Sequence, residues 1–410
     1  MRRRNFIEFI GLMLFLVIIY TPRAFEVLPV FSSIYTRMFP VHCVLFLITI
    51  ILSATTGFKN LKNIVTLGAF AFILTSVIVA FLHGGDYKLM FRTSIHLLTV
   101  LCLVSYELNR KDNCLLQACA WYFTVMLIIN LVLLILKPEG ISTFETYSAD
   151  RQFRQLDRLN FLEVDNRLSL PSLIAIATSY LLPEKRINKV LRITALVAGG
   201  LTNLLTMSGT GLGSFFVMFI YVVFIRKTKI SEKLVNVKTI LAAYVFCMFL
   251  IVYAGMIPPL AHVIQSVLHK DLTFSGRTYI WESCLEMISR HPIIGYGNFD
   301  NGWIIMWHGI NRNAHNLFFD ILIQGGFVLL AGYLTMVFTV FKTISGDKDK
   351  KKGILLVFLF CLFVVMLCES FIDNNYIFLA FSLSLLCKYN KSGKQKVLEL
   401  LKKKKLKLKA

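Results

Sequence analysis

The sequence predicts an all-α, polytopic integral membrane protein, a single helical bundle of about 12 transmembrane helices over residues 1–410 with a large extracytoplasmic loop. Composition gives the first reason: 56% of the residues are hydrophobic, 16% are charged, and the mean hydropathy is +0.68. Soluble domains are nearer one-quarter charged, so they rarely carry this much apolar surface. A bilayer accommodates it in helices that satisfy their own backbone hydrogen bonds.

Apolar stretches of span length recur along the whole chain. The first follows Met1, Arg2, Arg3 and Arg4 and shows no small-residue cleavage site before Tyr20. We therefore expect a retained signal anchor rather than a cleaved signal peptide. The predicted spans are residues 5–21, 39–56, 64–82, 90–106, 115–136, 168–182, 190–207, 210–225, 239–257, 325–342, 353–371 and 375–387.

The distribution of charge orients these spans. The formal net charge is +21, and Lys-rich connections alternate with connections richer in Asp and Glu, which is the positive-inside pattern. It predicts a multi-pass protein of the cell membrane with both termini cytoplasmic. Because the Lys runs lie beside apolar spans, they indicate anionic lipid headgroups as partners and argue against nucleic acid. Residues 388–410 are interpreted as a basic cytoplasmic tail that adheres to the membrane.

Cations on the predicted outer face are mostly Arg, whereas those on the inner face are mostly Lys. The planar guanidinium group of Arg binds phosphate or carboxylate through two parallel hydrogen bonds. This choice favours an anionic ligand on the outer face, such as a lipid-linked phosphate. Ordinary ion pairs with the outer Asp and Glu residues are an equal alternative on composition alone.

No motif in the sequence requires a cofactor. The nine Cys residues include no CxxC pair, and eight lie in or beside apolar spans, so neither a disulfide framework nor a Cys-based metal site is predicted. The D-x-D pair used by metal-dependent sugar-nucleotide transferases occurs only as Asp347 and Asp349, in a Lys-rich inner turn. We therefore expect no cofactor and no metal.

Two outer connections are long enough to be functional loops, residues 137–167 and residues 258–324. The later one contains GRTYIWESCLEMISRHP, whose apolar residues recur at helical spacing and which ends at Pro292. An amphipathic helix near the membrane surface is predicted there. Its start carries Arg277, where free backbone N–H groups and the helix dipole favour an anion.

The succession GRTYIWESCLEMISRHPIIGYG, then AHNLFFDILIQGG, then an apolar span resembles the O-antigen polymerase and O-antigen ligase family of bacterial envelope polysaccharides (Wzy and WaaL types). The close resemblance covers residues 275–342. The family pattern falls on Arg277, Trp281, Pro292, Gly295, Gly297, His315, Asn316 and Gly325.

One position departs from the pattern. Many relatives carry a Ser-Arg pair at the outer end of a mid-chain span, whereas here Ser208 is followed by Gly209. If that Arg binds phosphate in the relatives, another residue must do so here. The candidates in the earlier outer loop are Arg151, Arg154, Arg158 and Arg167.

The resemblance implies a GT-C-like fold and a metal-independent glycosyltransferase that uses a polyprenyl-diphosphate-linked oligosaccharide. On this interpretation Arg277 binds the diphosphate with a second Arg from residues 137–167, and His315 acts as general base or orients the acceptor. Arg312, Trp281 and Asn316 are expected to contact substrate. A flippase and a chain-length regulator are the implied protein partners.

Each of these roles has an alternative in which the residue has no part in the chemistry. His315 and Trp281 could be interfacial residues, Arg277 an ordinary helix-start residue, and Arg312 an anchor to the headgroup region. Arg92 and His96, four residues apart on one predicted helix, could face the bundle interior, with no role assigned.

The acceptor decides between a polymerase, which extends lipid-linked repeat units, and a ligase, which passes a finished glycan to a lipid, protein or wall acceptor. A transporter or flippase of lipid-linked glycan is the rival from another class. Transporters with twelve spans usually show two similar halves. The halves of this chain look unlike, so the sequence favours an enzyme.

Overall fold

The computed structural model describes residues 3–83, 87–108, 113–147, 154–253, 277–297, 314–345, 351–369 and 375–385. These ranges contain sixteen α-helices and one two-stranded antiparallel sheet. The first helices are α1 (Arg3–Ile19), α2 (Ala24–Val27), α3 (Pro29–Thr36), α4 (Met38–Thr55), α5 (Ile64–His83), α6 (Tyr87–Glu107) and α7 (Cys114–Leu136). The strands β1 (Ser142–Tyr147) and β2 (Arg154–Leu159) follow, then α8 (Ser169–Leu181), α9 (Arg186–Leu205), α10 (Gly209–Ile220), α11 (Lys229–Leu234) and α12 (Val237–Tyr253). The last are α13 (Arg277–Arg290), α14 (Leu317–Ser345), α15 (Lys351–Met366) and α16 (Asn375–Leu383).

Four of the described helices are long and apolar enough to cross a membrane: α4, α5, α7 and α14. Shorter apolar helices occupy Phe6–Ile19, Gly209–Ile225 and Val237–Leu250. An all-α membrane protein is therefore confirmed. A helix underlies each of the twelve predicted stretches, but only four of these helices are both long and apolar enough to span, so the number of spans stays a prediction.

Helix α8 forms the centre of the bundle. Every one of its residues is buried, and α7, α9, α10 and α15 pack around it. Hydroxyl groups near its end bond within the helix; Thr178 Oγ1, for example, donates to Ile174 O at 2.6 Å. Helices further out expose large apolar side chains, such as Phe81 and Leu74 on α5. That pattern suits a lipid environment, where the outer surface can be as apolar as the core.

Helices α5 and α14 pack closely because small residues lie between them. A Cβ atom added to Gly68 would lie 2.8 Å from Met336 Cα, and one added to Gly332 would clash with the hydroxyl of Thr75. Small residues of this kind let two helix backbones approach in a membrane, where packing rather than the hydrophobic effect drives association.

Residues 137–167 contain a β-hairpin, which the sequence analysis did not anticipate. Strands β1 and β2 pair in antiparallel register from Ser142 with Leu159 to Tyr147 with Arg154. The segment after β2 is fixed to the bundle: Leu162 N donates to Asn130 Oδ1 on α7 at 3.0 Å, and its carbonyl accepts from Arg23 N at 3.1 Å. This part of the loop is therefore a built element of the protein.

Helix α14 is broken at Gly326, which has φ 58° and ψ −156°. A tight turn that follows α13, residues 291–297, lies against the break. Tyr296 N and Gly297 N donate to Ile323 O and Gln324 O, at 2.8 and 2.9 Å. On the other side of the break, Phe327 N donates to Pro292 O and Val328 N to Ile293 O, at 2.8 and 3.1 Å. We call this arrangement the helix-break insertion.

Glycine is required on both sides of the helix-break insertion. Gly295 has φ 72°, and a Cβ atom there would lie 2.7 Å from the carbonyl carbon of Gln324. A Cβ atom on Gly326 would lie 2.5 Å from Pro292 O. Glycine alone adopts positive φ at little cost and leaves room for this approach of two backbones. The GYG turn and the Gly-bearing span of the sequence motif are thus two halves of one structure.

Candidate functional site

His315 lies in the turn that leads into α14. Its φ of 46° is left-handed, a conformation that costs a non-glycine residue free energy and that is enriched at functional sites. Its Nδ1 atom is 3.5 Å from Glu369 Oε2, at the end of α15. The imidazole is 32% exposed and the carboxylate only 5%, so the ring reaches solvent while its partner is enclosed.

Asn316 fixes the position of this turn. Its Oδ1 accepts from Phe318 N at 2.9 Å and from Phe319 N at 3.3 Å, which caps the start of α14. Its Nδ2 donates to Leu367 O at 3.1 Å, just beyond α15. One side chain therefore holds together the two chain segments that carry His315 and Glu369. Its predicted contact with substrate stays a prediction.

Trp281 packs on the interior side of the same turn. The side chain is buried, its Nε1 donates to Ala314 O at 3.1 Å, and its ring meets Phe319 edge-on at 6.0 Å. Ala314 N in turn donates to Asp320 Oδ1 at 3.1 Å. These contacts place Trp281 beneath the His315 turn as a support, and its expected contact with substrate stays a prediction.

Helix α13 buries one face on this cluster through Ile280, Cys284 and Ile288. Leu285, on another side of the helix, is 56% exposed. Burial raises the pKa of the Cys284 thiol, and the negative charge of Asp320 raises it further. Cys284 is therefore a packing residue and a poor nucleophile.

The predicted Arg residues differ in what the structure describes of them. Arg277 is the first residue of α13, and Arg154 begins β2, but the side chains of both lie outside the described part. Arg151 and Arg312 lie outside the described residues altogether. Arg167 ends a short 3-10 turn after β2 and is partly buried.

Among the Arg residues of 137–167, Arg158 has the clearest contacts. Its Nε donates to Asp165 Oδ2 at 2.9 Å and its Nη1 to Pro138 O at 2.7 Å. Asp165 also accepts from Asn160 Nδ2 at 2.7 Å. These bonds close the base of the hairpin, so Arg158 has a structural task whether or not it also contacts phosphate.

Ser208, the position of the departure from the family pattern, caps α10. Its Oγ accepts from Gly211 N at 3.3 Å, and the side chain is buried. The helix start is thus completed by a hydroxyl group, and Gly209 after it has open space where a side chain would be. Gly209 therefore offers no side chain that could bind phosphate at the position where many relatives carry Arg.

An apolar cavity of about 110 Å³ adjoins the site. Phe318, three residues after His315, lines it together with Tyr244 from α12 and Phe363 from α15. The rest of the lining is also apolar or aromatic: Ile240, Leu241, Tyr333, Leu334, Val337, Phe341 and Phe360. Leu241 and Leu334 are about half exposed on the bundle surface, at 47% and 45%, so hydrocarbon can reach the cavity from the side.

His96 is buried and shares a hydrogen bond of 2.8 Å with His42, across α6 and α4. His42 also bonds to Ile18 O on α1 at 3.2 Å. This pair joins three helices and lies apart in sequence from the His315 turn.

Glu369 is the site residue that sequence reasoning missed. The sequence does contain a sign of its importance, because an acidic residue inside the predicted span 353–371 is unusual and suggests a function by default. Its link to His315 depends on α14 and α15 being antiparallel neighbours, which the sequence alone does not show. Among the described residues, no group of three or more His, Cys, Asp or Glu side chains is arranged to hold a metal ion.

Residues 194–334 match the family described as O-antigen ligase, Wzy_C. The match confirms the resemblance to the Wzy and WaaL family. No protein among the curated ones matches the chain. The Wzy_C segment runs from α9 into α14, so it includes α13, the helix-break insertion and His315. The match supports a membrane-bound glycan transferase acting on lipid-linked oligosaccharide.

Proposed function

We propose that the chain polymerises lipid-linked oligosaccharide repeat units for a capsule, O-antigen or exopolysaccharide. The growing glycan leaves its polyprenyl diphosphate and joins a hydroxyl group of the next lipid-linked unit, on the outer face of a bundle of twelve spans with a GT-C-like fold and both termini cytoplasmic. The observation that carries the proposal is the His315–Glu369 pair, partly open to solvent, beside an apolar cavity that a hydrocarbon chain can enter.

The residues divide the chemistry between them. The bond from the sugar C1 atom to the diphosphate oxygen breaks, and a bond from C1 to the acceptor oxygen forms. His315 accepts the proton of the attacking hydroxyl and passes it to solvent, while Glu369 stabilises the imidazolium that results. Arg277, at a helix start, neutralises the charge of the departing diphosphate. Diphosphate is already a good leaving group, so cationic side chains suffice for this task.

The apolar cavity suits the polyprenyl chain. Its aromatic and aliphatic lining offers no charged group, and Phe318 and Phe363 connect it to the helix ends that carry His315 and Glu369. A chain lying there would hold the diphosphate close to the outer end of α14. The position of the cavity therefore supports a lipid-linked donor over a soluble sugar nucleotide.

A ligase is the second candidate, because the matching family is described as O-antigen ligase. It would share the donor, the proton transfer and the cavity, and would differ only in the acceptor. The two functions predict different products in a strain that lacks the protein: a polymerase mutant accumulates single lipid-linked units, whereas a ligase mutant accumulates finished chains on the lipid.

Complementation of a deletion strain tests the proposal. Wild type, His315→Ala and Arg277→Ala are compared at equal membrane expression, with His83→Ala and Arg290→Ala as controls that remove the same side chains from exposed positions. We expect long polysaccharide from wild type and controls, and single lipid-linked units from the two site variants. Long polysaccharide from both site variants would disprove the catalytic roles. Finished lipid-linked chains would favour the ligase, and units held on the inner face would favour a transporter.

A further inference from the structure

A cluster of charged residues lies at the other end of the bundle. Near the start of α15, Gly353 packs against the hydroxyl of Tyr221. The helix ends at the His315 site, about 24 Å away for a helix of its length. Tyr221 opens a π-helical turn, Tyr221–Ile225, after α10. Arg226 follows this turn and donates its backbone N–H to Tyr221 O at 2.8 Å.

Arg226 and Arg192 share one carboxylate. Arg226 Nη2 is 3.0 Å from Glu184 Oε1, and Arg192 Nη1 is 2.8 Å from Glu184 Oε2. Both guanidinium groups also lie against Tyr180, with centroid distances of 4.9 Å for Arg226 and 5.3 Å for Arg192. We call these four residues the Arg192–Arg226 cluster.

The cluster carries two positive charges, from the two Arg residues, and one negative charge, from Glu184. The side chains of Arg192 and Arg226 are only 6% and 14% exposed, whereas Glu184 is 64% exposed. Partial burial acts to raise the pKa of Glu184, but the hydrogen bonds and charges of the two Arg residues lower it overall, so the carboxylate is ionised at neutral pH. Two cations largely removed from water therefore share a single anion, an arrangement that favours binding of a further anion.

Arg226 is the member of the cluster with donors to spare. Arg192 also donates to Ser179 O at 3.1 Å and Leu182 O at 2.6 Å, which ties it to the end of α8. Arg226 Nε, in contrast, is buried and has no hydrogen-bond partner among the described residues. A guanidinium group has five N–H donors, and Glu184 takes one of those of Arg226.

The surroundings combine positive charge with apolar surface. Exposed lysines adjoin the cluster in sequence on both sides: Lys185, Lys189, Lys227, Lys229 and Lys233. Beside them, Ile193 on α9 and Phe224 in the π turn are 53% and 63% exposed. A ligand that carries a phosphate and hydrocarbon chains matches both features, since its chains can lie on the apolar helix surface while its phosphate meets the cations.

We propose that the Arg192–Arg226 cluster binds the phosphate of an anionic phospholipid from the leaflet at the lysine-rich end of the bundle. Glu184 holds the two guanidinium groups in place, and the lipid phosphate takes the donors of Arg226 that Glu184 leaves. This site is separate from the His315 site and does not depend on the proposed function.

Lipid binding to the purified full-length protein tests the proposal. The protein is delipidated in detergent and then titrated with phosphatidylglycerol or with phosphatidylcholine, and bound lipid is counted by native mass spectrometry. We expect one tightly retained phosphatidylglycerol in wild type and weakening of about tenfold in Arg226→Ala, as for loss of a charged hydrogen bond. Lys227→Ala removes the same charge from the next, exposed residue and should change the affinity less than about twofold.

Each outcome decides the matter. Equal retention of the two lipids by wild type would overturn the proposal. This comparison needs no variant, so it remains decisive even if Arg226→Ala fails to fold. Equal weakening in Arg226→Ala and Lys227→Ala would mean general attraction to a basic surface, which also overturns it. In a third arm, inorganic phosphate that displaces the lipid at equal concentration would show a free-anion site and refute the lipid assignment. Arg226→Lys should recover only part of the affinity, because Lys keeps the charge but lacks the planar fork of donors.

Discussion

At the scale of single residues, the His315 turn owes its shape to its neighbours. Asn316 caps α14 and binds Leu367 O, while Trp281 and Asp320 hold Ala314 from the interior side. Together these bonds fix the backbone on both sides of a residue whose φ is left-handed. The strain at His315 is thus imposed by contacts that also bring its imidazole towards Glu369.

Replacing Glu369 by Gln tests whether this carboxylate assists the imidazole. The amide keeps the size of the side chain but removes the charge that stabilises a protonated ring. We expect the transfer rate at saturating substrate to fall about 10- to 100-fold with little change in the concentration needed for half-saturation. The measurement is transfer between purified lipid-linked units in detergent.

Glu282→Gln is the matched control, because Glu282 is exposed on α13 and lies outside the buried pair. Equal activity of Glu369→Gln and Glu282→Gln would show that the buried carboxylate has no part in the reaction. A fall in both rate and thermal stability in Glu369→Gln alone would identify a purely structural residue.

The sequence alone could identify motifs at this scale, because each motif is short and the motifs follow one another in a fixed order. His315, Arg277 and the GYG turn were found in this way. Glu369 was not, because it follows the His by more than fifty positions in an apolar stretch. Its carboxylate comes close to the imidazole only when α14 and α15 lie side by side in the folded protein.

At the scale of elements, the helix-break insertion is the feature that sequence patterns could not show. Hydropathy predicts residues 325–342 as one apolar span, so it gives no sign that a distant turn supplies two donors and two acceptors at Gly326. The hairpin at 142–159 was missed for a related reason. Its strands are polar and charged, and alternation of apolar residues, the usual strand signal, is weak in STFETY and RQLDRL.

Gly326→Ala should destabilise the protein because it strains the backbone and obstructs the insertion. A left-handed φ costs Ala about 1–2 kcal/mol, and the added Cβ would lie 2.5 Å from Pro292 O. We expect a loss of at least about 2 kcal/mol in the free energy of unfolding, seen as a lower midpoint in thermal unfolding in detergent.

Gly213→Ala provides the comparison within the same protein. Gly213 lies inside α10 with open space where a Cβ would be, so Ala should be neutral or stabilise by up to about 1 kcal/mol. If both variants melt at the wild-type temperature, the insertion does not contribute to stability as the hydrogen bonds suggest.

At the scale of the whole molecule, charge and hydropathy gave the all-α membrane class, and the helices bear it out. The number of spans could not be settled in this way, because short helices such as α8 and α16 are buried by neighbours and need not match a bilayer's thickness. Orientation follows from a statistical preference for inner Lys and Arg, which concerns insertion into the membrane rather than the folded structure.

Labelling of introduced cysteines tests the orientation. Thr143→Cys, exposed on β1, should react with a membrane-impermeant maleimide in intact cells. Lys185→Cys, exposed before α9, should react only after the cells are permeabilised. The wild-type protein, whose own thiols are mostly buried, gives the background in both conditions. The reverse pattern would invert the topology and move the His315 site to the cytoplasmic face.

The helix-break insertion also bears on how the protein is made. Its four backbone hydrogen bonds join residues 292–297 to residues 323–328, about thirty positions apart. When a ribosome has delivered α13 to the membrane, the groups that complete its following turn have not yet left the ribosome. The turn can close only after the second half of α14 begins to emerge, so a nascent chain stopped before Val328 should leave it open to protease. Closure of the turn at residues 291–297 is in this sense timed by translation, because residues added after it complete it.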